Sequence, residues 1–340
     1  MVEIERRKKR WEDFWVEDGA GKRMLVITCQ EGAPNWVRPH PGLRDARMEF
    51  AWRMYNHQME HLETWRDDNV PCLHLFSGTE IWAEALGCAV HRPDDTMPMA
   101  VPFVRSAREA AAVKVPRLED STLWMFFEMA DALRARAGKD ALLRIPDMQS
   151  PMDVVAQIWD KTDLFAAMIE EPGAVKELAR KAQALIAGFY DLFFARYGKA
   201  FVAHHPGYYM PSGITFSVDE VGSVSREMFD EYFLGELDWF SERYGGMGIH
   251  CCATAEHQWD NFAKVKGLRL MNFGQQPDYI RRAYRHFAGT CALWNNEHNK
   301  PPPAVLEDMP PGIPKNCRYV TNLIVASIDD AKRQSEAFFN

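Results

Sequence analysis

The sequence predicts an α/β fold in which a single (β/α)8 TIM barrel follows an N-terminal helical extension. Eight short apolar segments, each suited to one β-strand, alternate with segments of helical periodicity along the 340 residues. No glycine-rich phosphate-binding fingerprint follows these segments, which disfavours a dinucleotide-binding fold. A barrel of this length is commonly one domain, so we expect residues 1–23 to form the extension and residues 24–340 the barrel.

Helical segments separate the four predicted strands in the first half of the chain. These strands lie at residues 24–29, 70–76, 141–145 and 200–205, and residues 214–218 extend or rejoin the fourth. Residues 1–18 have helical spacing, with Trp11, Phe14 and Trp15 on one face. Further helices are predicted at 45–66, 121–137 and 172–197. The proline-rich residues 88–120 are typical of an insertion over one end of the fold.

The second half completes the alternation with strands at 246–252, 268–273, 291–295 and 318–325. Ser225 is placed to cap a helix that runs to residue 244, and Pro277 to begin the next helix at its first turn. Ser327 and Asp330 form a capping box for the last helix. Because the active site of such a barrel lies at the carboxyl ends of its strands, the polar residues there are the functional candidates.

Composition disfavours several classes of partner. The net charge is −8 and the lysines and arginines are scattered, which argues against nucleic acid. No apolar stretch approaches the ~18 residues of a membrane span, and the charged start lacks the apolar core of a signal peptide. Seven cysteines, an odd number in a long chain, indicate free thiols. We therefore expect a reduced, cytoplasmic protein with no nucleic-acid or membrane partner.

Groups suited to acid–base work, metal binding or hydrogen bonding follow seven of the eight predicted strands. They are Cys29, Gln30, His74, Ser77, Glu80, Asp147, Gln149, His204, His205, Tyr208, Tyr209, Asp219, Glu220, His250, Cys251, Cys252, Asn272, Asn295, Asn296, Glu297 and His298. A single buried histidine is more often a structural hydrogen-bonding residue than a ligand. The convergence of so many groups at one end of the barrel nevertheless favours a common pocket.

His250 and Cys252 are the leading candidates for a metal site. Residues two apart on a strand point to the same side, so both would face the pocket while Cys251 points away. Imidazole and thiolate suit Zn²⁺, and a catalytic zinc needs a third ligand and an open position. The candidates for that ligand are Asp219, Glu220, Cys291, Glu297 and His298. The alternative is a pocket-lining histidine beside a buried thiol.

Asp219 and Glu220 allow two interpretations. At least one could point into the pocket as a base or a substrate anchor. Alternatively, both are carboxylates favoured by the dipole of the helix that begins near Ser225.

Several segments resemble the uroporphyrinogen decarboxylase (URO-D) superfamily. Asp219-Glu220, Ser225-Arg-Glu-Met-Phe229 and His250-Cys251-Cys252-Ala253 are similar, in that order, to the middle signature of the superfamily. Residues 78–90 and 150–172 are similar as well, and the resemblance covers roughly residues 70–340.

The resemblance is closer to the corrinoid-linked methyltransferase branch than to the cofactor-free decarboxylases. Those decarboxylases hold their substrate with an arginine-rich stretch after strand one, where this chain has only Arg38. The methyltransferases hold zinc with His-x-Cys and a later cysteine. His250 and Cys252 match the first two ligands, but residues 319–327 contain no cysteine, so Glu297 or His298 would replace it. Such a ligand would suit demethylation of an O- or N-methyl substrate.

The resemblance thus implies a methyltransferase that moves methyl between a small methylated compound and a corrinoid protein or a thiol. In this hypothesis His250, Cys252 and Glu297 bind zinc, and Asp219, Glu220 and His250 act in catalysis. The residues expected to contact substrate are Tyr208, His74, Asn272 and Asn296. The alternatives are a cofactor-free decarboxylase, with His250 and Asp219 handling protons, and a non-catalytic tetrapyrrole- or corrinoid-binding partner. A homodimer is compatible with the sequence.

Overall fold

The computed structural model describes residues 2–16, 22–295 and 313–340. The helices are α1 Val2–Trp15, α2 Arg44–Glu60, α3 Ile81–Ala85, α4 Ala107–Ala112, α5 Trp124–Ala137, α6 Pro151–Ile158, α7 Lys161–Glu170, α8 Pro172–Tyr197, α9 Arg226–Tyr232, α10 Leu234–Tyr244, α11 Trp259–Phe262, α12 Pro277–His286 and α13 Ile328–Phe339. The strands are β1 Arg23–Cys29, β2 Cys72–His74, β3 Ala89–His91, β4 Met99–Val101, β5 Leu142–Arg144, β6 Phe201–Val202, β7 Tyr209–Met210, β8 Ile214–Ser217, β9 Met247–Cys251, β10 Leu268–Phe273, β11 Ala292–Asn295 and β12 Arg318–Val325.

Parallel strands form the centre of the fold, as the alternation of strands and helices predicts. The larger sheet has the order β1-β12-β11-β10-β9-β8 and is parallel throughout. The smaller has the order β2-β5-β6-β7, with β7 antiparallel to β6. A parallel bridge between Gln149 and Ser217 connects the two sheets on one side. On the other side, the described hydrogen bonds do not pair β1 with β2, so the recorded ladder is not a closed ring.

Strand β8 is separate from the strand that precedes it. The sequence predicts that residues 214–218 extend or rejoin strand four, but β6 instead turns back into the short antiparallel strand β7. Strand β8 then pairs with β9, with Ser217 opposite His250. The Val218 N–H donates to the His250 carbonyl at 2.8 Å and continues this pairing. The segment after β8 is therefore carried alongside the end of β9.

Serine caps fix the starts of several helices. Ser225 accepts from the Met228 N–H, and Ser327 accepts from the Asp330 N–H, as predicted. Ser150 accepts from the Asp153 N–H, with Pro151 in the first turn, where its missing N–H costs nothing. The predicted helix from Ser225 to residue 244 is divided at Phe233, where φ is −107°.

Helix α1 packs into the main hydrophobic core. Trp11 and Phe14 are buried, and the Trp11 indole N–H donates to the Asp68 carbonyl at 2.7 Å. The Trp15 indole N–H donates to the Tyr209 carbonyl at 3.1 Å. The sequence predicts this helix and its apolar face, and the division of the chain at residue 23 stays a prediction.

A cavity of about 360 Å³ lies between the sheets, beside the unpaired edges of β1 and β2. The larger sheet contributes Val26 and Trp294 to its wall, and the smaller contributes His74, Arg144 and Val202. Helix α2 covers it with several side chains, including Met54 and His57. Both sheets therefore shape this space.

All seven cysteines are free, and Cys252 is the exposed one. None of the described helices combines the length and apolarity needed to traverse a bilayer.

Close packing against β9 generates a first prediction. A Cβ at Gly248 would lie 1.8 Å from Tyr208 Oη and 2.9 Å from its Cζ. Because the Tyr208 ring is buried among aromatic neighbours and cannot swing away freely, Gly248→Ala should lower the free energy of unfolding by about 1–3 kcal/mol. Urea denaturation measures this change, and adding Tyr208→Phe should restore part of it.

Gly235 provides the matched control, since nothing lies within 4 Å of a Cβ built there in helix α10. Gly235→Ala should stabilise the protein by up to about 1 kcal/mol through helix propensity. Equal effects of the two substitutions would contradict the packing argument.

Candidate functional site

Three metal-type donor atoms converge where β8 and β9 end. His250 lies on β9, Cys252 follows the end of that strand, and Asp219 lies two residues beyond β8. One ligand atom from each of the three lies within 4.8 Å of the other two. His250 is buried, Asp219 is half-buried and Cys252 is exposed. The cluster therefore extends from the interior to the surface on its Cys252 side.

Asn272 on β10 fixes the orientation of the His250 ring. The Asn272 Nδ2 amide donates to the Trp294 carbonyl at 3.2 Å, which leaves Oδ1 as the acceptor. Oδ1 lies 2.6 Å from His250 Nδ1, so Nδ1 carries the proton of this hydrogen bond. In the neutral ring, Nε2 is then the nitrogen with an electron pair suited to a metal. This is the usual way in which a second residue selects the tautomer of a ligating histidine.

Asp153 holds the backbone of the segment that carries Asp219. Its Oδ1 accepts from the N–H groups of both Asp219 and Glu220 at 2.9 Å. The Asp219 Oδ1 in turn accepts from the Cys252 N–H at 2.6 Å. These bonds join helix α6, the turn after β8 and the end of β9 into one unit.

Several buried carboxyl groups are concentrated around Asp219. Burial, with Asp219 nearby, raises the pKa of both Asp153 and Asp147 to about 7. Burial, with Asp153 nearby, raises the pKa of Glu236 well above its usual value. Burial and Asp219 together raise the pKa of the Cys252 thiol to about 12. In the part of the chain that the structure describes, no lysine or arginine forms an ion pair with any of these four carboxylates.

Glu220 points away from this cluster. Its Oε2 forms an ion pair with Lys161 Nζ at 2.7 Å, at the exposed start of helix α7. Of the two neighbouring carboxylates, only Asp219 joins the group of possible ligands. A catalytic role for Glu220 stays a prediction, without a contact that supports it here.

The other residues expected to contact substrate have different surroundings. His74 lines the cavity, and burial close to Arg144 lowers its pKa well below the usual value. Tyr208 is buried against Trp11, Trp15 and Trp294. Asn272 is fully buried and binds protein atoms, so it positions His250. Asn296, Glu297 and His298 lie outside the described residues.

A pair of histidines connects the cluster with the cavity. The His205 ring packs edge-on against His250, with ring centroids 4.6 Å apart, and His205 also lines the cavity. The neighbouring His204 is buried, with its ring nitrogens 2.9 Å from Thr215 Oγ1 and 3.0 Å from Ser217 Oγ. His205 thus lies between the cavity and the three-donor cluster and contacts both.

Two residues of the site were missed by the sequence reasoning. Arg144 lines the cavity. The sequence feature that could have revealed it is a lone charge within the apolar strand Ala-Leu-Leu-Arg-Ile. Asp153 supports Asp219, but its position three residues after Ser150 is explained equally well by helix capping, so nothing in the sequence separates the two roles.

Comparison with known proteins places the chain in a family. A family model described as uroporphyrinogen decarboxylase (URO-D) matches residues 61–293, more than half of the chain. The chain belongs to the uroporphyrinogen decarboxylase family. The recognition of this superfamily from the sequence is thereby confirmed. No curated protein sequence matches the chain.

A solved structure supports the same fold for this URO-D family member. A methyltransferase from Methanosarcina mazei is similar over 98% of this chain and 99% of its own, with a TM-score of 0.68. The sequence identity is 12%, so the likeness concerns the fold.

His204 generates a prediction for the pH dependence of stability. Burial, with His250 and Arg144 nearby, lowers its pKa well below the usual value, so the folded protein keeps the ring neutral. The unfolded chain takes up that proton below a pH of about 6.5, so stability should fall as the pH drops through this value. His204 should account for up to about 1.4 kcal/mol between pH 7.5 and 5.5.

Urea denaturation at the two pH values checks this contribution. A folded His204→Gln variant should lose less stability on acidification than the wild type. The exposed His91 provides the control, because His91→Gln should retain the wild-type pH dependence. The same loss in His204→Gln as in the wild type would contradict the assignment.

Proposed function

We propose that this URO-D family member is a zinc-dependent methyltransferase. The observation that carries the proposal is the approach of Asp219, His250 and Cys252 donor atoms to within 4.8 Å of one another. We also propose that the two sheets belong to one (β/α)8 barrel, with this cluster at the carboxyl end of its strands.

The donor set fits zinc in chemistry and in charge. A carboxylate, an imidazole and a thiolate are all zinc ligands, and three protein ligands leave the open position that a catalytic site needs. His250 would use Nε2, since Nδ1 is held by Asn272. A dication would also favour the ionised form of Asp219 and of its buried neighbours Asp147 and Asp153, which burial opposes in those two neighbours. Asp219 is thus our candidate for the third ligand, a position for which Glu297 stays a prediction.

Zinc bound there would act as a Lewis acid on the heteroatom that carries the methyl group, or would lower the pKa of an accepting thiol. The protein residues supply position and exclusion of water. Asn272 and Asp153 hold the ring and the carboxylate in place, and His205 forms the wall between the cluster and the cavity. The cavity would hold the body of the substrate, with its methyl group directed toward His250.

A corrinoid protein is our proposed partner in methyl transfer. The methyl–heteroatom bond would break as a methyl–cobalt bond forms, with cobalt(I) supplying the electron pair and becoming cobalt(III). The released heteroatom keeps the bonding pair and takes up a proton. Exposure of Cys252 supports this partner, because the cluster is accessible from the surface at that side. A small thiol is the alternative methyl acceptor.

The cavity suits methyl transfer from a small substrate better than decarboxylation of a porphyrinogen that carries many carboxylates. Its described lining contains two arginines, and one of them, Arg7, is already paired with Asp67. A cavity of about 360 Å³ is also near the lower end of small-molecule sites. These features suit a small substrate with little negative charge.

Metal content provides the direct prediction. Wild-type protein loaded with Zn²⁺ and desalted should retain about one zinc per chain by mass spectrometry. Asp219→Asn, His250→Ala and Cys252→Ala should each lose most of it because each removes a ligand. Asn272→Ala should weaken zinc binding by about 10–100-fold, as expected for loss of a hydrogen bond that orients a ligand.

Adjacent residues provide matched controls. Glu220→Gln removes a carboxylate that pairs with Lys161, and Cys251→Ala removes a buried thiol that faces the Ala253 carbonyl. Both variants should retain zinc. Retention in all three ligand variants, or no zinc in the folded wild type, would contradict the proposal.

Methyl transfer can be followed with free cob(I)alamin and methoxylated or N-methylated probes. Formation of methylcobalamin should require zinc and be abolished by His250→Ala. Methyl transfer that persists in metal-free protein would refute zinc dependence.

A further inference from the structure

Arg144 places a half-buried positive charge in the wall of the cavity. It lies at the end of β5, inside an otherwise apolar strand, and burial lowers its pKa without a carboxylate to offset it. Its Nε and Nη2 donate to the His204 carbonyl at 3.2 and 2.8 Å. Within the described residues, Nη1 has no hydrogen-bond acceptor. A charged group that is partly removed from water and only partly bonded is stabilised by a ligand that completes its bonding.

The local backbone leaves room for this guanidinium. Gly207 lies against it, and a Cβ at that position would come within 2.8 Å of Nη1. The segment from His204 to Gly207 therefore contacts the guanidinium on two sides. The His204 carbonyl accepts its hydrogen bonds, and Gly207 packs against Nη1. This arrangement fixes the guanidinium toward the cavity.

Among the described residues that line the cavity, Arg144 is the charged group without an ion-pair partner. Among the described lining residues the formally charged ones are Arg7, Asp67 and Arg144. Arg7 forms an ion pair with Asp67 and another with Glu3. Burial and the positive charge of Arg144 keep the neighbouring His74 neutral by lowering its pKa well below the usual value. The described lining thus presents one net positive charge, surrounded by apolar surface from Val26, Val202, Pro206 and Trp294.

We propose that Arg144 is the anchor for a single carboxylate on the methylated substrate. The inference rests on the proposed function in one respect, because it takes the cavity to be the substrate site of the methyltransferase. The carboxylate would accept from the Arg144 Nη1 side, and the apolar body would lie along Trp294. The methylated end would extend past His205 toward His250. The rings of these two histidines are in contact.

One cationic group favours a monoanion. A phosphate monoester carries nearly two charges near neutral pH and three strongly accepting oxygens, and it is generally held by several cations or by a helix N-terminus. The described lining supplies one guanidinium without an ion-pair partner and otherwise mainly neutral groups. A carboxylate matches this guanidinium in charge and in its planar geometry.

Binding to metal-stripped full-length protein tests the anchor. We suggest calorimetry with 3-methoxybenzoate and with its uncharged analogue 3-methoxybenzamide, which differ at the anchored end only. The wild type should bind the carboxylate at least about tenfold more tightly, because the amide lacks the charge-assisted bond. Arg144→Gln should reduce this preference to less than about twofold. Arg144→Lys should retain part of it, since a charge remains but the planar fork is lost.

Arg134 provides the matched control, because it too makes two hydrogen bonds to the main chain, to the carbonyls of Ala141 and Tyr197, and does not line the cavity. Arg134→Gln should keep the wild-type preference. Equal binding of the two probes by the wild type, or binding of neither, would overturn the proposal even if Arg144→Gln fails to fold. A preference that survives in folded Arg144→Gln, or inorganic phosphate that competes better than 3-methoxybenzoate, would also overturn it.

The two proposals can fail separately. A carboxylate preference without zinc binding would retain the Arg144 anchor and contradict the zinc-dependent methyltransferase. Zinc-dependent methyl transfer without that preference would retain the function and exclude the anchor.

Discussion

The concentration of buried carboxyl groups around Asp219 is the constraint on which this site depends. Asp147 and Asp153 interact with Asp219, Glu236 interacts with Asp153, and burial opposes the ionisation of Asp147, Asp153 and Glu236. Buried carboxylates are tolerated when they are hydrogen-bonded, protonated or paired with a cation. Asp153 accepts from two backbone N–H groups and Ser150, and Asp219 accepts from the Cys252 N–H and lies beside the donor atoms of His250 and Cys252. A dication is the simplest partner for that arrangement.

Strand pairing and hydrogen bonds around the cluster define its geometry. Pairing of β8 with β9 sets Ser217 opposite His250, and the turn that follows brings Asp219 to the Cys252 N–H. Pairing of β10 with β9 sets Asn272 opposite His250. Each ligand candidate is therefore positioned by strand register and then by one hydrogen bond. His205, which follows β6 in the smaller sheet, packs against His250 and also lines the cavity beside Arg144.

The sequence predicted the parts of this structure that depend on local patterns. Helix α8 and strands β10 and β12 lie at the predicted residues, because apolar spacing and terminal prolines or glycines determine such elements. The joining of β8 to β9 could not be predicted, since it depends on long-range pairing. The choice of Asp219 over Glu220 was also undetermined, because only the Lys161 ion pair distinguishes two adjacent carboxylates. Arg144 was missed because strand-end reasoning did not consider charges within a strand.

X-ray absorption at the zinc edge tests the central claim most directly, because it reports which atoms bind the metal. We expect a zinc shell with one sulfur at about 2.3 Å and nitrogen or oxygen neighbours at about 2.0–2.2 Å. In Cys252→Ala the sulfur contribution should disappear, since Cys252 is the thiol in the Asp219–His250 cluster. A wild-type shell without sulfur, or a sulfur contribution unchanged in Cys252→Ala, would contradict the proposed site.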